Sequence, residues 1–151
     1  MRPVLVGMNN PLSHRPEYAL WHSPPGCTGH RLWKMLSART GATEEEYVSC
    51  FERVNLVTGP WRQSAADAAA SLLRPVLRGR TVVLLGQSVR RAFGVPRLLV
   101  HPQVIDDVTW RQLPHPSGRC HWYNDRRNKH VAELLLEELF EDWRRACREK
   151  R

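Results

Sequence analysis

The residues of this chain best suited to chemistry stand in two short segments far apart. One is Val6-Gly7-Met8-Asn9-Asn10-Pro11 and the other Leu113-Pro114-His115-Pro116-Ser117-Gly118-Arg119. An imidazole in a loop stiffened by a proline on either side, as at His115, can donate to negative charge as it builds on a leaving group. An amide such as Asn9 is no strong base, but it can orient a water. Asn55, in Arg53-Val54-Asn55-Leu56-Val57, offers both a donor and an acceptor. Taken singly, each has a plain reading: a histidine in a turn, or an asparagine ending a strand as a turn signal.

Positioning such groups is the work of strands and helices, and the pattern alternates between them. Val4 to Val6 is a short apolar run ending at Gly7, and His30 to Leu36 places its apolar residues on one helical face. Thr43-Glu44-Glu45-Glu46 reads as a capping box that starts a short helix, and Arg53 to Val57 as the next strand. Ser64 to Leu77, rich in Ala and Leu, predicts a helix with Pro75 near its end and Gly79 terminating it. Thr81 to Gly86 is a continuous apolar run, the mark of a strand buried on both faces of a parallel sheet. Gln87 to Phe93 reads as a helix closed by Gly94, and Val108 to Leu113 as the last strand, which delivers His115 at its carboxyl end. In the longest helix, Arg127 to Arg148, a stripe of Val131, Leu135, Leu139 and Trp143 faces the core. With no internal repeat or low-complexity linker, residues 1–151 read as one α/β domain. The expected architecture is three-layer α/β/α around a central, mainly parallel four-stranded sheet. Ligands of such sheets bind at the carboxyl ends of the strands, where Gly7, Asn55, Gly86 and His115 all fall.

A chain of 151 residues can bury most of the surface its unfolded form exposes without disulfide or metal staples. Its 23 Lys and Arg against 15 Asp and Glu give a formal net charge of +8, and the pI near 10.0 favours a polyanionic partner, nucleic acid first. Four cysteines, Cys27, Cys50, Cys120 and Cys147, lack Cys-x-x-Cys spacing, which argues against a zinc ribbon or an iron–sulfur cluster. Cys27-x-x-His30 with His22 upstream offers metal ligands but no fourth, so free thiols and no metal are expected. The first residues carry too short an apolar run for a signal peptide, and no stretch is long enough to span a membrane. An intracellular protein, not secreted and not membrane-bound, is the expectation.

Together the two segments resemble the active-site loops of the uracil-DNA glycosylase superfamily. Its members open with a strand running into a Gly-x-(Asp/Asn/Glu)-Pro-type loop and close with a His-Pro-Ser loop about a domain-length later. The match is nearest to the single-strand-selective and mismatch-specific branches. The resemblance implies a monofunctional DNA glycosylase that hydrolyses the N-glycosidic bond of uracil, or of a related modified or deaminated base, flipped out of DNA. It assigns the leaving-base donor to His115, the water to Asn9, the surrounding substrate loop to Gly7, Met8 and Asn10, and the base edge to Asn55. It also implies that Ser117 and Gly118 meet DNA phosphates and that Arg119 fills the gap left by the flipped base. Trp122 and Tyr123, with Arg126, Arg127 and Lys129 behind them, suit a strand groove.

Two departures stand out. Gly7-Met8-Asn9 continues with Asn10-Pro11 instead of Pro-Gly, and Pro24 falls where the superfamily stacks a Phe under the base, leaving Trp21 or His22 to supply that platform. Neither motif contains Lys, so no Schiff-base lyase step is expected, and no cofactor is implied. The partner implied is single- or double-stranded DNA, and the protein is expected to be a monomer. The alternative reading is a glycosylase-like enzyme that acts on another modified base in DNA, or a reader that holds such a base without cutting.

Overall fold

The computed structural model describes residues 1–97 and 101–151. Its strands are β1 (Val4–Gly7), β2 (Glu52–Asn55), β3 (Thr81–Leu85), β4 (Gln103–Ile105) and β5 (Val108–Leu113). Its α-helices are α1 (Thr28–Thr40), α2 (Glu44–Cys50), α3 (Gln63–Leu73), α4 (Gln87–Phe93) and α5 (Arg126–Glu149). The sheet runs β2-β1-β3-β5-β4, with every pairing parallel except that of β4 with β5. The fold is therefore α/β with a mostly parallel mixed sheet, as the alternating pattern predicts.

Among the described residues the strand count is five, not the expected four. The extra strand, β4, is three residues long and mostly exposed, and it meets β5 through a two-residue turn at Asp106 and Asp107, both at left-handed φ, 52° and 62°. Such a turn matches the twist of the flanking strands but favours Asn-Gly or Asp-Gly, so an Asp-Asp pair gives little warning of a hairpin. Two boundaries also move. The helix expected to Leu77 is α only to Leu73, because Pro75 has no amide to donate and Arg74–Leu77 tightens into a 3-10 turn. The second strand ends at Asn55, beyond which the amides of Leu56 and Val57 donate to the carbonyls of Gly7 and Met8, each at 3.1 Å.

Alternate strand residues feed two separate apolar clusters. Leu5, Val83, Leu85 and Leu113 pack with Leu32 and Leu36 of α1, Tyr47 of α2, and Leu135, Leu136, Leu139 and Phe140 of α5. Val4, Val6, Val82, Leu84 and Trp110 pack with Ala66 and Ala70 of α3 and Val89 and Phe93 of α4. Because α3 presents alanines to this cluster, it can approach closely. Of the stripe expected on α5, Leu135 and Leu139 are buried and Trp143 packs partly buried against the same cluster, whereas Val131 is half-buried and lies outside it.

Two helix ends are fixed as their sequences predict. Thr43 Oγ1 accepts from the Glu46 amide at 3.1 Å while Glu46 Oε2 accepts from the Thr43 amide at 3.0 Å, completing the capping box of α2. α4 closes on Gly94 at φ 64°. Among the described residues no helix is long and apolar enough to cross a membrane.

Candidate active site

Since β2, β1, β3 and β5 are mutually parallel, their carboxyl ends share one rim. Gly7 and Asn55 are partners across the β1–β2 pair, and a Cβ on Gly7 would stand 2.7 Å from Asn55 Oδ1 and 2.9 Å from a Leu20 methyl carbon. Only glycine lets the asparagine side chain lie over the β1 backbone. On the other half of the rim the Gly86 amide donates to the Leu113 carbonyl at 2.8 Å. Gly86, at φ 99°, would set a Cβ 3.2 Å from that of His115. His115 thus rests against the turn after β3. Burial pushes its imidazole pKa below the ordinary value, so the ring is neutral near pH 7.

A cleft of about 500 Å³ opens at this rim, lined by Asn9, Asn10, Trp21, Pro24, Asn55, Ser117 and Gly118 among others. Gly7, Met8, His115 and Arg119 do not line it. Gly7 works from beneath through its contact with Asn55, Met8 packs against the apolar cluster under α3 and α4, and Arg119 is exposed.

Within the cleft, Asn9 Nδ2 donates to the Gly59 carbonyl at 2.8 Å. A carbonyl only accepts, so this bond fixes which way the amide faces. Asn10 is tied within its own loop at both ends, Nδ2 donating to the Tyr18 carbonyl at 3.0 Å and Oδ1 accepting from the Leu12 amide at 2.9 Å. Asn55 Oδ1 is buried and has no hydrogen-bond partner among the described residues. An unmade bond of that kind costs about 1–3 kcal/mol, which a purely structural asparagine would not be expected to retain. The Ser117 amide donates to the His115 carbonyl at 2.8 Å and the Ser117 carbonyl accepts from Cys120, so this loop closes on itself.

The far wall of the cleft is a strained strap, Tyr18 to Trp21. Leu20 sits at φ 48°, a left-handed conformation costly for a bulky side chain. Its neighbours hold it there. The Tyr47 hydroxyl donates to the Leu20 carbonyl at 2.9 Å, and Arg53 Nη1 to the Ala19 carbonyl at 3.0 Å. Gly29 lets α1 press onto the strap, since a Cβ there would fall 2.0 Å from the Trp21 carbonyl oxygen. Trp21 itself stacks obliquely on His22 at 4.5 Å and lies 5.2 Å from the Arg53 guanidinium. Burial lowers the Arg53 pKa and raises that of Tyr47, leaving the latter a neutral donor. Neither residue is legible as a site element in the sequence, because each acts on backbone carbonyls more than 25 positions away. Tyr123 is of the same kind: its hydroxyl donates to the Pro114 carbonyl at 2.6 Å and moors the loop that carries His115.

The Cys27, His30 and His22 group is also engaged locally. Cys27 Sγ donates to the Trp21 carbonyl at 3.3 Å and caps α1 by accepting from the His30 amide at 3.4 Å. The His30 ring meets the His22 carbonyl at 3.0 Å. Among the described residues no cluster of three or more His, Cys, Asp and Glu is placed to hold a metal ion. No family model matches this chain, and no curated protein matches it significantly.

Proposed function

We propose that the protein is a monofunctional DNA glycosylase of the uracil-DNA glycosylase type, hydrolysing the bond between deoxyribose and uracil or a related modified or deaminated base. In this reading the two apolar clusters are the two sides of a three-layer α/β/α domain. The observation that carries the proposal is the meeting at one rim of Gly7, Asn9 and Asn55 with the loop of His115, from segments separated by about a hundred positions in the sequence.

The chemistry follows from the residues. Leaving of the base makes the sugar cationic and loads negative charge onto the departing base. The neutral His115 imidazole is suited to donate to that charge once substrate draws the loop over the cleft. With Nδ2 held by Gly59, Asn9 has Oδ1 left to orient a water toward the sugar. A half-turn about the broad terminal torsion of Asn55 exchanges its orphaned oxygen with its amide nitrogen, so either end can meet the edge of a base. Trp21 supplies aromatic surface in the cleft where the superfamily has a Phe and this chain has the exposed Pro24.

The test is base release from single- and double-stranded oligonucleotides carrying uracil, hydroxymethyluracil, xanthine or hypoxanthine. Release of at least one base, with an abasic site and no strand nick, is expected. Tight binding of an altered base without release would replace the hydrolase by a reader, and neither binding nor release would overturn both.

A further inference from the structure

The rim cleft has a neighbour of about 560 Å³, and Gly26, Ser117 and Gly118 line both. Their chemistry is opposed. Among the described residues the rim cleft has no charged lining, whereas its neighbour carries Arg31, Lys34 and Lys129 against the single carboxylate of Glu133. Within the described residues these cations take no part in any ion pair. Arg31 and Lys34 lie three apart on one face of α1, Lys129 is in the first turn of α5 opposite, and Met35 and Tyr123 provide apolar surface between them. Arg31 stands at the divide. Its Nε donates to the Gly26 carbonyl at 3.0 Å, and its guanidinium lies so near Gly118 that a Cβ there would meet it at 2.9 Å.

A neutral cleft joined to a cationic one suits a polymer that repeats a flat uncharged heterocycle and an anion. We propose that the α1–α5 cleft is the track of a single nucleic-acid strand. The phosphate beside the flipped nucleotide is bracketed by Arg31 at the divide, and the phosphates beyond it pass between Lys34 and Lys129. Unpaired bases lie over Tyr123. The cleft has the volume of a small-ligand site, enough for a short unpaired stretch and too confined for a duplex. The inference rests on the nucleic-acid reading of the rim cleft, though not on its catalysis.

The experiment is fluorescence anisotropy with an unmodified single strand of about 12 nucleotides, within the usual site sizes of about 4–16, titrated over a range of salt. Each phosphate contact on a single strand contributes about 0.7 to the slope of log affinity against log salt. The double variant Lys34→Ala/Lys129→Ala is therefore expected to weaken binding and flatten that slope by about 1.4. Arg145→Ala/Lys150→Ala, which removes equal charge at the far end of α5, should leave the slope unchanged. All four residues are exposed, and thermal melts check that each variant is folded. An unchanged slope in the first variant, an equal change in the second, an equal change with duplex of the same sequence, or no binding by the parent protein would overturn the track. Loss of the slope in a protein that releases no base would uphold the track while removing the glycosylase.

Discussion

His115 is neutral because of where it sits. Held against Gly86 and partly buried, its ring resists the proton that a free imidazole accepts near pH 6.5. Loss of one donor aimed at developing charge costs about 10²–10³ in rate. His115→Ala should therefore lower single-turnover base release by at least about a hundredfold while oligonucleotide affinity is retained; unchanged turnover removes the residue from the mechanism. The same environment sets a pH dependence. The folded pKa is lowered, so the unfolded chain binds the proton first. This residue's full contribution to stability holds above about pH 6.5 and declines as pH falls through the lower folded value. Urea midpoints of His115→Gln should consequently fall less than those of the parent between about pH 7 and pH 5. A parallel fall in both proteins would show that other groups govern this acid limb. His115 and Asn55 were legible from residue type and place, since a strand end is where such groups converge. The orphaned oxygen of Asn55 was not, because it depends on Gly7 and Leu20 closing around it.

At the level of elements, the loop after β5 has little regular structure of its own and depends on the tether from Tyr123 to Pro114. Burial raises the Tyr123 pKa, so the hydroxyl remains a donor throughout the working range. Tyr123→Phe should cost about 1 kcal/mol of stability and speed amide exchange across residues 114–120 before any change elsewhere. Exchange that stays at parental rates would mean that the loop is held by other contacts. In the β4–β5 hairpin, Asp107 occupies a left-handed position that glycine fills without steric penalty, and its bond to Gly79 is made by its backbone carbonyl. Asp107→Gly is thus expected to raise stability by about 0.5–1 kcal/mol, read as a higher denaturation midpoint; a lowered midpoint would place the value of Asp107 in its carboxylate. These cases divide what sequence reveals from what it hides. α2 announces its start through Thr43 and Glu46, and α4 its end through Gly94, because caps are local. β4 and the Tyr18–Trp21 strap carry no local signal: the strand is only three residues long, and the strap is held by Tyr47, Arg53 and Gly29 from elsewhere.

At the scale of the whole molecule, the parallel core gathers loops from four strands onto one rim while α1 and α5 wall the adjoining cleft. The net charge of +8 is thereby partly expressed as Arg31, Lys34 and Lys129 in one place, next to a cleft with no charged lining among the described residues. The partition at Gly26, Ser117 and Gly118 has a consequence for ligand design. A small uncharged heterocycle in one chamber and a sulfonate in the other would lie close enough for a short tether. Joining them turns the second encounter into an intramolecular one at millimolar effective concentration, and the linked compound should bind about 10²–10⁴ times more tightly than either half. Calorimetric titration of the halves and the conjugate measures this gain directly. No gain would mean that the partition blocks the tether, so that the chambers behave as separate sites.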